Sequence, residues 1–465
     1  MHSKSILCLG LLLLTPVCSP AQLIQTNGTW TYQSTKKGAP ASNDPLFEKF
    51  KAMPAPEPKS LLLKTNDRLA ICGDSITEQK MYSRIIEDYL TVCVPDLQVT
   101  VRQYGWSGER APGFLARMTN DCLRFKPTIA TTCYGMNDHE YRTYEDRIGK
   151  TYEEKSLAIV EAFKANGARV IQGSPGCIGK VPTWTKTTNA TVEDLNMNLC
   201  TLRNIGIQIA EKEQVGFADV FWPMLTAGRL AHGRYDTNYS IAGKDGVHPG
   251  WAGQTVMAYA FLKAMGVSGN IGSFELPIKS GKLRIVGQHE LVSAQSKPGE
   301  FQFISSQYPF CPCEPAAAGA ASYPDCEKDD PSKDNSISSA MTLVPFNEEL
   351  NRLMLKVYDA NQPKYKVSWD RESKEFSGEQ LRTGINLIAE FPINPFSKQF
   401  AQVDAAVAAK QAFETKQIKQ LFHSAEAKTN MTAIVETSEK EHERLAGAIK
   451  AAFVPVMHKI SILAE

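Results

Sequence analysis

The chain has 465 residues, 43% of them hydrophobic, which is enough apolar material for two or three compact units and excludes wholesale disorder. Lys and Arg total 51 against 50 Asp and Glu, a net charge of +1 with no basic stripe or acidic tail. That balance gives no support to nucleic-acid or anionic-membrane binding.

The chain opens as an export signal. His2 and Lys4 form a weak charged region, Ile6 to Leu14 an apolar run, and Ser19-Pro20-Ala21 a small-residue cleavage site. Residues 1–21 are therefore expected to leave near Ala21, placing a bacterial protein in the periplasm or outside the cell. The run is too short to cross a bilayer, and no later stretch reaches the roughly 20 apolar residues needed. Of 11 cysteines, Cys8 and Cys18 would leave with the signal. Cys72 and Cys133 end apolar runs and read as buried thiols. Cys311, Cys313 and Cys326 share a Pro/Gly/Ala-rich loop, where a disulfide from Cys326 to one of the other two is expected after export. They lack a fourth ligand of suitable spacing, so no metal is expected there.

Residues 22–65, rich in Pro, Lys and polar side chains, read as an N-terminal arm. From residue 66 short apolar runs alternate with helical spacing. Leu69–Cys72, Val99–Gln103, Ile129–Tyr134, Ala168–Gln172 and Val215–Val220 are the strand candidates, and Met81–Leu90 and Thr151–Ala165 the helical ones. Such alternation implies parallel strands with crossover helices, an α/β unit that closes by residue 268 after an Ala-rich helix, Ala252–Met265. Residues 269–376 change texture. Leu283–Val286, His289–Ser293, Glu300–Ser305, Leu353–Tyr358 and Lys364–Trp369 predict an antiparallel β-rich region interrupted by a flexible low-complexity loop at 312–338. Residues 377–465 read as helical. Phe400, Val403 and Val407 mark one face, and Leu445, Ile449, Phe453 and Val456 another, with Pro455 loosening the second helix.

Four segments carry chemistry, each at a predicted strand end or loop. Gly73-Asp74-Ser75-Ile76-Thr77-Glu78 puts Ser75 at a strand's carboxyl end and a helix N-terminus, where sheets of this kind bind ligands and where free N–H groups favour an anion. Taken alone, it is also a routine helix cap. Gly105-Trp106-Ser107-Gly108-Glu109-Arg110 supplies glycines that let backbone N–H groups approach a ligand. Gly135-Met136-Asn137-Asp138 offers a side-chain amide. Asp245-Gly246-Val247-His248-Pro249 places an acid and an imidazole three residues apart, close enough to share a hydrogen bond that sets the tautomer.

Ser75, Gly108, Asn137 and Asp245/His248, in that order, strongly resemble blocks I, II, III and V of the SGNH (GDSL-type) hydrolases, and the resemblance spans about residues 66–268. It implies a flavodoxin-like three-layer α/β/α domain with five parallel strands and a serine esterase that needs no cofactor. Carried over residue by residue, Ser75 is the nucleophile, His248 the general base and acid, and Asp245 the residue that orients it. The amides of Ser75 and Gly108 and the side chain of Asn137 form the oxyanion hole. His139 and His232 are rival bases without a spaced acid partner. Asp74, Trp106, Arg110, His139 and Trp251, with Tyr134, Tyr141 and Trp184, flank the blocks as candidate substrate contacts, and rings beside a polar site can stack on sugar faces. The wording of the blocks is similar to that of exported bacterial members acting on acylated carbohydrates, which implies an O-acetylesterase. A lipase or phospholipid acyl hydrolase would use the same residues, and a non-catalytic glycan-binding protein would keep the fold without turnover. No feature specifies an oligomeric state.

Overall fold

A computed structural model describes residues 22–26, 29–33, 45–185, 189–279, 281–294, 298–311 and 332–465. The expected export signal and most of the low-complexity loop, including Cys313 and Cys326, lie outside them. Gln22–Thr26 (β1) and Thr29–Gln33 (β2) pair as an antiparallel hairpin. That hairpin belongs to a unit of its own, Met1–Ala41, and Ser42–Glu465 form a second.

The second unit is organised on five strands: Arg68–Gly73 (β3), Thr100–Gln103 (β4), Ile129–Cys133 (β5), Arg169–Gly173 (β6) and Gly216–Ala218 (β7). All pair in parallel in the order β4-β3-β5-β6-β7, the sheet the sequence resemblance implies. Parallel strands covered on both faces need apolar residues at successive positions. In β3, Leu69 and Ile71 join one core cluster, with helices Tyr82–Val92 and Trp251–Met265. Ala70 and Cys72 join the other, with helices Ala111–Asp121 and Asp146–Ala165.

Strand β4 lies at the edge of this sheet, and a free edge exposes unpaired backbone groups. The helix Ser397–Lys416 covers it. Lys410 Nζ donates to the Val101 carbonyl at 2.7 Å, and the Gln103 amide donates to Glu414 at 3.1 Å. Charged side chains thus stand in for a sixth strand. They are buried, and Lys410 pairs with both Glu87 and Glu414, at 3.0 and 2.5 Å.

The region after residue 269 builds two further sheets. Asn270–Leu276 (β8), Arg284–Val286 (β9), His289–Ala294 (β10), Glu300–Ser305 (β11), Arg352–Val357 (β12), Lys364–Trp369 (β13), Glu372–Ser377 (β14), Ile385–Asn386 (β15) and Val456–Ala464 (β16) supply the strands. One sheet has the order β15-β12-β8-β9 and the other β10-β11-β16-β13-β14. The expectation of purely antiparallel pairing needs correction, since β8 and β12 run parallel. A second correction concerns the chain's end. The helix Ala425–Ala452 stops before Pro455, and Val456 belongs to a strand that fills the middle of the five-stranded sheet. There His458, Ile460 and Ile462 are buried while Met457, Lys459 and Leu463 are exposed, an alternation of period two. The interrupting loop also ends earlier than Ser338. Ser336 accepts the Ser339 amide and caps a helix over Ile337–Leu343.

Between the two later sheets runs a buried chain of hydrogen bonds. Trp369 Nε1 donates to His458 Nδ1 at 3.1 Å, and His458 Nε2 meets Ser305 Oγ at 2.8 Å. Ser305 Oγ meets His289 Nδ1 at 2.8 Å, and His289 Nε2 reaches the Ile271 carbonyl at 3.1 Å. The indole N–H at one end and the carbonyl at the other assign every proton, and both rings must be neutral. Burial pushes His289 down to about 4 and His458 down to about 3. The unfolded chain takes up these protons below about pH 6.5 while the folded one does not, so their contribution to stability falls as pH drops from there. Relative to a His289→Gln/His458→Gln variant, the native protein should lose at most about 1.4 kcal/mol per pH unit per histidine between pH 6.5 and 4.5. Urea unfolding at both pH values checks this, and parallel stability curves would refute it.

The seven described cysteines are free and buried, Cys72 and Cys133 among them. Cys311 is one of the seven and packs by Asn394 Oδ1 at 3.6 Å, so it does not take part in the expected disulfide. Among the described residues no helix is long and apolar enough to cross a membrane.

Candidate active site

Strand β3 delivers Asp74 and Ser75 to the carboxyl edge of the parallel sheet. Asp74 Oδ1 accepts the Ile76 amide at 2.9 Å and starts the short helix Ser75–Glu78. Ser75 is half-buried at its first position. Its Oγ lies 2.8 Å from His248 Nε2, although 173 residues separate the two in sequence. His248 Nδ1 lies 2.7 Å from Asp245 Oδ2.

The turn that presents His248 is built locally. Asp245 Oδ1 accepts the amides of Val247 and His248, both at 2.9 Å. Burial pushes the Asp245 carboxyl up, but those two amides and the imidazole outweigh it and hold the group below its ordinary value. Gly243 has φ +85°, and a Cβ there would lie 1.7 Å from the His248 carbonyl oxygen, so the turn closes only around a glycine.

Asn137 stands on the loop after β5. Its Nδ2 donates to the Glu109 carbonyl at 3.1 Å and lies 3.4 Å from Asp74 Oδ2, while its Oδ1 accepts from Tyr141 Oη at 3.2 Å. The side chain is thus oriented from both ends. Gly108 is exposed with φ +73°, in the loop that follows β4.

The other candidates have different surroundings. Asp74 is buried as the helix cap, and burial pushes its carboxyl up to about 7. His139 is buried too. Its Nδ1 donates to the Met136 carbonyl at 2.5 Å, and burial pushes it down to about 4, so the ring is neutral. His232 Nε2 donates to the Tyr239 carbonyl at 2.8 Å. Arg110 is exposed and pairs with Glu140 at 3.0 Å. Trp251 packs under Arg84, whose guanidinium is 5.7 Å from the ring centroid. Trp106 faces His423, Arg117 and Lys419, and Tyr134 is buried with its hydroxyl on Glu109. The rings beside the serine–histidine pair are instead Trp184, 44% exposed and 5.9 Å from the His248 ring, and Tyr141, 6.1 Å from Trp184.

Glu78, Lys419 and His423 also bear on this site and were not singled out from the sequence. Lys419 and His423 lie more than 300 residues from their partners Glu78 and Asp121, so no local pattern marks them. Among the described residues no group of three or more His, Cys, Asp or Glu side chains could hold a metal ion.

Residues 71–256 match the model of the GDSL-like lipase/acylhydrolase family. No curated protein sequence matches the chain. Among solved structures, a gut microbial diltiazem-metabolizing enzyme aligns over 87% of this chain and all of its own, with a TM-score of 0.68 and 20% identity. That likeness of fold therefore extends well beyond the family-matched segment. A putative GDSL-like lipase from Parabacteroides merdae covers 44% of this chain and 99% of its own, at 20% identity and a TM-score of 0.37. The acetylxylan esterase Axe2 of Geobacillus stearothermophilus covers 44% and 97%, at 21% identity and a TM-score of 0.36. Over residues 71–256 the chain is thus similar to the GDSL-like lipase/acylhydrolase family.

Proposed function

We propose that this chain is a serine esterase that removes O-acyl groups, foremost O-acetyl groups, from carbohydrates, with Ser75, His248 and Asp245 as its catalytic residues. The observation that carries the reading is the unbroken relay from Ser75 Oγ through His248 to Asp245, at 2.8 and 2.7 Å. A serine hydroxyl is a weak nucleophile until an imidazole takes its proton, and the carboxylate stabilises the imidazolium that forms. Ser75 Oγ adds to the ester carbonyl as its proton moves to His248 Nε2. The resulting oxyanion is held by the amides of Ser75 and Gly108 and by Asn137 Nδ2. His248 then hands the proton to the departing sugar hydroxyl, leaving an acyl-serine. Water, deprotonated by His248, releases the acid and restores Ser75.

The carbohydrate part of the reading is supported by the exposed Trp184 ring beside His248, with Tyr141 next to it, where a sugar face can stack as the alcohol side of the ester. Purified protein should hydrolyse p-nitrophenyl acetate with a kcat/KM at least about tenfold above that for the octanoate, because a site shaped for a two-carbon acyl group rejects added methylenes by steric exclusion. Ser75→Ala provides the blank. Preference for octanoate would replace the acetyl reading with a lipase. Failure of a fluorophosphonate probe to label Ser75 would replace catalysis with glycan binding.

A further inference from the structure

The loop that bears Gly108 is held from outside the family-matched segment. Glu78, the last residue of the helix that begins at Ser75, accepts the Ser107 amide at 2.5 Å. Lys419 Nζ donates to both oxygens of the same carboxylate, at 2.7 and 2.9 Å. Lys80 does not duplicate this contact, because its Nζ donates to the Glu78 backbone carbonyl. The Trp106 ring lies 5.2 Å from Lys419 Nζ, 5.2 Å from the His423 ring and 4.9 Å from the Arg117 guanidinium. His423 Nε2 meets the buried Asp121 carboxylate at 3.0 Å, and Arg117 Nη1 meets it at 3.2 Å. Arg117 also forks onto Glu109 at 2.6 and 2.7 Å. Trp106, Ser107 and Glu109 are thus each tied down, while Gly108 between them has no side chain to tie. The orientation of its amide follows from the anchorage of its neighbours.

We propose that Lys419, with His423 seating Trp106 behind it, is a positioning residue for the oxyanion hole. It pins the partly buried Glu78 carboxylate, which in turn holds the Ser107 amide and so aims the Gly108 amide. The inference rests on the assignment of Ser75 and Gly108 made above. It makes the π-helical segment Gln417–Leu421 and the short turn after it, between helices Ser397–Lys416 and Ala425–Ala452, part of the catalytic unit. Without Lys419 the carboxylate can swing to solvent, and a misaimed donor weakens stabilisation of the transition state rather than binding of the substrate.

The test compares the full-length native protein with Lys419→Met, Lys419→Arg, Lys374→Ala and Ser75→Ala on p-nitrophenyl acetate. Each kcat is normalised to the fraction of protein that a fluorophosphonate probe labels at completion, so misfolded material does not count; Ser75→Ala, which has no residue to label, is normalised to total protein. Lys419→Met should lower kcat about tenfold with KM within about twofold of native. Lys419→Arg should recover most of the loss, and Lys374→Ala, which removes an exposed pair with Glu390, should change nothing. An unchanged kcat in Lys419→Met, a rise in KM alone, or an equal fall in Lys374→Ala would overturn the positioning role while leaving Ser75 in place. Undiminished turnover by Ser75→Ala would instead remove the catalytic assignment and this inference with it.

Discussion

Ser75→Ala should lower kcat by on the order of 10⁵- to 10⁶-fold while leaving the fold intact. The hydroxyl supplies the only nucleophile in the proposed mechanism, and no second group can accept the acyl chain from the same position. Such activity as remains would come from water attacking within the oxyanion hole. The fold should survive because the structural work at this position is done by the backbone. Asp74 caps the helix, and the Ser75 carbonyl accepts the Gln79 amide at 3.0 Å. Alanine also suits a helical position. The measurement is a pair of progress curves on p-nitrophenyl acetate together with thermal unfolding of both proteins. Labelling by a fluorophosphonate should be stoichiometric in the native protein and absent in the variant. A variant that keeps activity within about tenfold of native would refute the nucleophile.

Asn137→Ala should cost about 10²- to 10³-fold in kcat with little change in KM. The amide is preorganised. The Tyr141 hydroxyl holds its Oδ1, and its Nδ2 is turned toward the Glu109 carbonyl at 3.1 Å and, more weakly, toward Asp74 at 3.4 Å. The second contact is long for a hydrogen bond, so a developing oxyanion can take that proton at little cost. A donor needed only once charge has built on the carbonyl oxygen affects turnover and not ground-state binding. Steady-state kinetics separate the two. A large rise in KM with kcat unchanged would make Asn137 a substrate contact, and no change in either would remove it from the site.

These expectations draw unequally on sequence and structure. The five parallel strands were legible because a strand buried on both faces must be apolar at consecutive positions, as Leu69–Cys72 is. The pairing of Asp245 with His248 was legible because both sides of it come from one short turn, where a spacing of three residues decides the geometry. The last strand was not legible. Leu445, Ile449, Phe453 and Val456 continue a helical spacing, and the alternation from Val456 onward acquires meaning only beside β11 and β13, which lie far away in the chain.

The sequence by itself determined the α/β class, the order of the chemical segments, and which residue types could serve as nucleophile, base and donor. These follow from local periodicity, turn chemistry and the fixed reactivity of the side chains. Only the tertiary structure decided which groups meet. It set Ser75 2.8 Å from a histidine 173 residues away, and turned Trp106 and Trp251 toward packed neighbours while leaving Trp184 at the site. It also placed Lys419 on Glu78, 341 residues back. Contacts of that range depend on how whole layers pack, and packing is a property of the assembled core that no short stretch of residues contains.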